Sequence, residues 1–353
     1  MNSYFICATQ PTNVGDLVIN KMLIDELCSY GTVYVDACGL PSDFKNILLR
    51  HANAVDVNEE QGITLKRIGL KNICKIISLI RKKKIKLLTQ NPGPMGRLQI
   101  VTRFGFNIIY LIFKICGASV KRYGNCCSNA IATQTPVDRM LVDEYYLRSQ
   151  ASVEYAMGFC GSKRVHYIPD LAFLLHYYVG KPREKKNVIA FNVRLASDNE
   201  LLKKASIDLI NHCVSIGYSI EIYFQVHSDY EIAKEIYECV AAPQVKFHEE
   251  VVWYDDLDFY LDKRYVISNR LHSLLIGSVY GAIPIGLMEN DPKLLKVKHV
   301  FESAFHGIQN LIYINSVTDF KQFDPGAFDM DIYRVVEDNS GLCRSIIRKS
   351  VGL

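Results

Sequence analysis

The sequence predicts an α/β protein built from two Rossmann-like domains, and three observations carry that expectation. The chain has 353 residues, more than one hydrophobic core ordinarily serves. Short β-branched runs alternate with helix-period segments through both halves. A polar, apolar-poor stretch, Tyr178–Lys186, separates the halves and reads as a linker. The expected domains are 1–178, 187–335, and a C-terminal helix over 336–353 returning to the first domain.

In the first half, Ser3–Ala8 reads as a strand, and Asn13-Val14-Gly15-Asp16 opens a helix reaching about Tyr30. Thr32–Asp36 is a β-branched strand, Ser42–His51 a helix, and Ala54–Val57 a short strand. Leu70–Lys84 forms an amphipathic helix with Ile73, Ile76, Ile77 and Ile80 on one stripe and Lys71, Lys75 and Arg81–Lys84 around it. Two readings stay open for it: a surface helix with a solvated basic end, or a segment that docks on anionic headgroups. The strand Ile85–Thr89 leads into a loop at Gln90–Gly96, where two Gly and two Pro fall in seven residues. Phe104–Val120 is apolar but interrupted by Asn107 and Lys114. It is shorter than the roughly 20 apolar residues a spanning helix needs, so it reads as a buried helix.

The second half repeats the rhythm. Strands are expected at Asn187–Val193, Ser219–Gln225, Val245–Phe247, Tyr265–Ser268 and Ile283–Leu287, with helices at Asn199–Ile216 and Ser228–Val240 and another between the last two strands. A tail helix is expected near Leu342–Val351. Two such halves facing a cleft make a GT-B-like arrangement.

Composition narrows the function classes. Hydrophobic residues are 49% and charged residues 22%, as in folded globular proteins, and the formal net charge is +4. That charge suits an anionic small molecule or an acidic membrane surface and is too small for a nucleic-acid binder. Eleven scattered cysteines lack zinc-site spacing and several lie in apolar runs, which fits free thiols in a reducing cytoplasm. The N-terminus has neither a basic n-region nor a long apolar h-region, so it reads as a strand and not as a signal peptide. The expected location is cytoplasmic, at the inner face of the plasma membrane if the basic helix docks there.

The most informative stretch is Tyr265–Gly277, where a strand ends near Ser268 and a helix begins at about Leu271. Open α/β sheets bind ligands beyond their carboxyl edges, and an uncapped helix N-terminus there is an anion seat. Arg270 adds a planar fork for carboxylate or phosphate, and His272 a group that exchanges protons near neutral pH. On residues alone another reading stands beside it: Asn269 caps the helix while Arg270 and His272 satisfy local backbone.

The run Asn269-Arg270-Leu271-His272, with Tyr280–Leu287 after its helix, resembles the Arg-x-His signature of the polysaccharide pyruvyl transferase family. Asn13–Asp16 resembles the family's Asn-x-Gly-Asp motif and Leu147–Ser152 its Arg-to-Ser helix start. Tyr167–Phe173 resembles its Pro-Asp-x-Ala-Phe strand end, and Asp291-Pro292-Lys293 its late Asp-x-Lys element. The five occur in family order. The family's glycine-rich loop is replaced by Asn91-Pro92-Gly93-Pro94, and Lys296 and Lys298 compete with Lys293 for the late lysine.

The resemblance implies transfer of a pyruvyl group from phosphoenolpyruvate to two hydroxyls of a sugar in a surface polysaccharide or its lipid-linked precursor, giving a cyclic ketal and phosphate. It assigns Arg148, Arg270, His272 and Lys293 to the doubly charged donor, His272 as general acid and Asp16 as base. Arg194, Asn13 and Asn91 are secondary candidates. The reaction as outlined uses no metal or cofactor. Local alternatives are an exposed Arg148 paired with Glu144, and an Asp170 that orders its loop. The expected partners are phosphoenolpyruvate and a saccharide, lipid-linked or free, with membrane contact through 70–84 and no nucleic acid. Two rival readings are a GT-B glycosyltransferase, with Glu289 on a nucleotide ribose, and a non-catalytic carbohydrate-binding protein.

Overall fold

The computed structural model describes residues 1–62, 70–94, 100–126, 136–180, 184–194, 200–240, 242–289, 294–315, 320–328 and 330–353. The chain divides into two compact units: Met1–Pro11, Asp16–Leu171 and Gly341–Leu353 form the first, Thr12–Gly15 and Ala172–Ser340 the second. The division thus falls ahead of the polar stretch read as a linker, whose last residue, Lys186, already belongs to a strand.

The first unit is a parallel sheet of β1 (Asn2–Ile6), β2 (Val33–Asp36), β3 (Ala54–Asp56), β4 (Ile85–Gln90), β5 (Gly93–Pro94), β6 (Ser119–Cys126), β7 (Glu144–Leu147) and β8 (Val165–Tyr167). Its order is β3-β2-β1-β4-β6-β7-β8, with β5 paired to β6. Helices α1 (Val14–Cys28), α2 (Ser42–Leu48), α3 (Val57–Gln61), α4 (Leu70–Lys82), α5 (Ile100–Ile115), α6 (Pro136–Leu141) and α7 (Gln150–Cys160) accompany it. Most positions of β1, β2, β4 and β7 are buried, as in a parallel sheet covered on both faces. Tyr4, Leu88, Phe113, Val120, Tyr145 and Leu147 sit in one core.

Two expectations are corrected here. Part of the Gly/Pro loop is strand, since Gly93 and Pro94 pair with Asn125 and Cys126. The apolar segment from Phe104 is not a fully buried helix. Ile109, Tyr110, Ile112 and Phe113 of α5 face the core, whereas Phe104, Leu111 and Ile115 are exposed, and by Ser119 the chain has become strand β6.

The second unit repeats the plan with β9 (Lys186–Asn192), β10 (Ser219–Ile222), β11 (Val245–Phe247), β12 (Lys263–Ser268), β13 (Ile283–Met288) and β14 (Leu311–Tyr313). Its order, β11-β10-β9-β12-β13-β14, places β9 beside β12. This is the dinucleotide-fold order, whose direction reverses between those two strands. Helices α8 (Glu200–Ser215), α9 (Tyr230–Val240), α10 (Leu271–Val279) and α11 (Leu295–Ala304) flank the sheet. Every residue of α10 except the half-buried His272 is buried. Gly277 lets it lie against β12, for a Cβ there would stand 2.4 Å from Val266 Cγ2.

The last helix, α12 (Ile332–Ser350), starts earlier than its sequence pattern indicated. Its residues from Gly341 onward belong to the first unit, where Cys343 and Ile347 are buried and Lys121 Nζ donates to the Ser350 carbonyl at 2.7 Å. The ten described cysteines are free thiols.

Candidate active site

The carboxyl ends of β9 and β12 are the natural place for a ligand in the second unit, because the chain leaves the sheet there in opposite directions. The two ends are tied together. Asn269 receives the Arg194 N–H at 2.7 Å on its side-chain oxygen and donates its amide to the Arg194 carbonyl at 2.8 Å. Asn269 is therefore committed to a cross-strand clasp and does not cap α10. The capping position belongs to Arg270, which has extended backbone (φ −95, ψ 118) and makes no side-chain cap. The N-cap residue thus offers no side-chain acceptor to the first turn of α10, and a helix N-terminus without such a cap is suited to seating an anion.

Beneath this turn lies a buried polar network. Ser273 Oγ donates to Gln225 Oε1 at 2.9 Å and lies 3.2 Å from Asn192 Oδ1. Gln225 donates to the Tyr260 hydroxyl at 2.9 Å, which passes a hydrogen bond to the Tyr223 hydroxyl at 2.8 Å. Asn192 donates to the Tyr223 carbonyl at 2.9 Å. Buried polar groups paired in this way fix one geometry, because any rearrangement leaves an unpaired donor or acceptor. Burial pushes the hydroxyls of Tyr260 and Tyr223 up, the latter to about 12, so both stay protonated donors.

Arg270 pairs through one terminal nitrogen with the buried carboxylate of Asp229. Its backbone N–H donates to Ser268 Oγ at 2.9 Å. The guanidinium Nε is buried with no hydrogen-bond partner among the described residues. The fork is thus held by Asp229 at one terminal nitrogen, and its Nε keeps an unused donor beside that pair. The adjacent imidazole of His272 is positioned by a glycine: a Cβ on Gly15 would lie 2.1 Å from His272 Nδ1. Gly15 and Asn13 belong to this unit, and Asn13 Oδ1 accepts the Gly15 N–H at 3.0 Å. Arg194, Asn13, Arg270 and His272 are accordingly all residues of the second unit. Arg194 holds its place through its backbone, with its side chain exposed.

Asp16, Asn91 and Arg148 belong to the first unit. Asp16 lies in the first turn of α1, where the helix dipole favours a carboxylate, and accepts from Thr9 Oγ1 at 3.2 Å. Asn91 follows β4, and its N–H donates to the Ile6 carbonyl at 3.0 Å. The buried side chain of Asn125 braces that bend by donating to the Gly93 carbonyl at 3.0 Å.

Arg148 is not an exposed residue paired with Glu144. It is fully buried, its Nη1 lies 2.8 Å from Asp170, and its Nη2 is 3.4 Å from the Cys126 sulfur. Burial alone would lower its pKa, and Cys126 and Asp170 outweigh that and raise it. Glu144 instead meets Lys121 at 2.5 Å. Ser149, next to Arg148, caps α7 by accepting from the Ser152 N–H at 3.2 Å. Lys293 lies outside the described residues; Lys296 and Lys298 are on α11, the latter 3.8 Å from Glu302.

Sequence reasoning missed Asp229, Asn192, Gln225, Ser273 and the spatial reason for Gly15. Polar residues that follow apolar strand runs, such as Asn192 and Gln225, were the available signal. Asp229 offered none, since an aspartate near a helix start is ordinary.

Comparison with known proteins defines the class first. A UDP-N-acetylglucosamine 2-epimerase structure superposes with a TM-score of 0.61 at 11% identity, covering 99% of this chain and 95% of that one. The Neisseria meningitidis UDP-GlcNAc 2-epimerase bound to UDP-GlcNAc gives 0.59 at 12% identity, covering 99% of each chain. The Methanocaldococcus jannaschii enzyme gives 0.58 at 10%, again covering 99% of each. At such identities the likeness is one of fold, and the fold is GT-B. Residues 140–289 then match the family model of polysaccharide pyruvyl transferases, so the family resemblance read from the sequence is borne out over that stretch. It contains the Arg148–Ser152, Pro169–Phe173 and Asn269–His272 elements. No curated protein matches the chain.

Proposed function

We propose that the chain transfers a pyruvyl group from phosphoenolpyruvate to two hydroxyls of a saccharide. The observation that carries this reading is the N-terminus of α10, which Arg270 does not cap, beside the Arg270 fork with its unpaired Nε and the imidazole packed on Gly15. That turn lies inside the stretch matched by the family model. A donor with carboxylate and phosphate on adjacent atoms needs several N–H groups and a cation at once.

In the proposed reaction, C3 of the enol gains a proton as C2 becomes oxocarbenium-like. One sugar oxygen bonds to C2, the C2–O bond to phosphate breaks, and the second sugar oxygen closes the ketal. Two hydroxyl protons are lost; one balances the new methyl C–H and the other leaves on phosphate. His272 is assigned the proton delivered to C3 and Asp16 the base, while Arg270, with Arg148 and Lys293, is assigned the donor's charge. Arg148 takes the smaller share, because Asp170 already meets its charge. The acceptor is assigned to a surface polysaccharide or its lipid-linked precursor, with peripheral membrane contact through residues 70–84.

The test is incubation with phosphoenolpyruvate and candidate saccharides, following phosphate release and the product's mass gain. Arg270→Ala and His272→Ala are expected to lose about 10²–10⁴-fold in turnover. Undiminished turnover in both variants sinks the site assignment. The second reading, a nucleotide-sugar transferase, draws on the fold shared with a UDP-GlcNAc-bound epimerase and on Glu289 after β13. Consumption of a UDP-sugar in place of phosphoenolpyruvate would favour it.

A further inference from the structure

Helix α5 is apolar on both of its faces. A helix packed on a sheet ordinarily turns polar residues outward. Here the outward stripe is Phe104, Leu111 and Ile115, spaced at i, i+7 and i+11 and 67%, 49% and 74% exposed, while Ile108 between them is half-buried against the core. Met140 of the neighbouring α6 is 71% exposed. Contiguous exposed apolar surface of this kind marks a docking site.

The charge around it identifies the occupant. Between Gln61 and Val137 the sequence has no aspartate or glutamate, while fourteen lysines and arginines fall there. With a whole-chain charge of +4, the remainder is net negative by ten. Among the described residues, Lys114 is met by Asp143 and Lys121 by Glu144, acids from beyond the segment. On α4, which packs beside α5, the exposed positions include Lys75, Arg81 and Lys82. A field of one sign around an aliphatic centre attracts an anionic surface. A second copy docking by two-fold symmetry would bring two cationic surrounds together.

We propose that α5 and the basic stretch around it form a docking surface for an anionic lipid bilayer. Phe104, Leu111 and Ile115 enter the headgroup–acyl boundary, and Lys75, Arg81 and Lys82 lie against the headgroups. The inserting element is α5, with α4 as its electrostatic flank. This holds whether or not the chain transfers a pyruvyl group.

The experiment is flotation of the full chain with phosphatidylcholine vesicles, with and without phosphatidylglycerol, at low and high salt. The wild type is expected to float with the anionic vesicles alone and to be released by salt. Arg81→Gln with Lys82→Gln should lower partitioning by roughly fivefold per charge. Leu111→Gln with Ile115→Gln should lower it by at least about tenfold. Phe104→Ser serves if circular dichroism shows that the double variant does not fold. No flotation of the wild type with anionic vesicles at low salt overturns the proposal, as does full flotation of a folded Leu111/Ile115 variant. Sedimentation showing a dimer that the Leu111 change dissociates also overturns it, assigning the stripe to a second copy.

Discussion

At the scale of single residues, Gly15 and Asp229 carry the tightest constraints on the proposed chemistry, and neither is a reacting group. Gly15 is required by space: any side chain there occupies the position of the His272 imidazole. Gly15→Ala is expected to reduce turnover by about 10²-fold, the scale of an ångström-sized misplacement of a catalytic group. Its melting temperature should stay close to that of the wild type, since most of α1 is untouched. A kinetic comparison with His272→Ala checks this, because the two defects should not multiply if they act through one imidazole. Asp229 acts through Arg270 as a positioning residue. Asp229→Asn keeps the shape and removes the charge partner, so the expected result is a donor KM raised about tenfold with a smaller change in kcat. An unchanged KM would mean that Arg270 does not meet the donor.

At the scale of elements, what holds the turn after β12 is the buried network, and Ser273 is its branch point. Ser273→Ala leaves Gln225 Oε1 buried without its donor. The expected cost is about 1–3 kcal/mol, read by chemical denaturation. Much of this level was legible in the sequence. The apolar runs at Thr32–Asp36 and Asn187–Val193 and the boundary between Ser268 and Leu271 follow from local composition and turn chemistry. Strands β6, β7 and β14 were not foreseen. Tyr145-Tyr146-Leu147 and Leu311-Ile312-Tyr313 are too short to show a period, and their strand character comes from the neighbours they pair with. Helix α5 was misjudged for a related reason. Apolar residues on both faces look the same in sequence whether the outer face meets protein or something else.

At the scale of the whole molecule, each unit carries a carboxylate held ionised by lysines. Burial alone would raise the Asp262 pKa, but Lys186 and Lys263 overcome it and hold the group at about 2, from 3.8. Burial likewise opposes the ionisation of Glu144, and Lys121 with Tyr146 lowers its pKa on balance. Because these folded-state values lie below the unfolded ones, their stabilisation is complete above the ordinary carboxylate range and is lost as pH falls towards about 2. Asp262→Asn should flatten the decline of melting temperature between about pH 4 and pH 2, by well under about 1 kcal/mol for so exposed a group. An identical slope would show that the lysines contribute nothing there. Truncation at Ser340 should destabilise the first unit, which would lose the buried Cys343 and Ile347 and the Arg344–Glu26 contact at 3.1 Å. Thermal unfolding of the shortened chain checks this.

The order of apolar runs and breakers was enough to set two parallel α/β sheets and to point at Asn269–His272, because hydrophobic period and turn chemistry act over a few neighbouring residues. Only the folded chain decided that Asn269 clasps Arg194 and not its own helix, that Arg148 is spent on Asp170, and that an imidazole lies against Gly15. Those facts depend on which strands become neighbours and how closely a helix approaches a sheet. Packing settles both between segments far apart in the chain, where no local periodicity reaches.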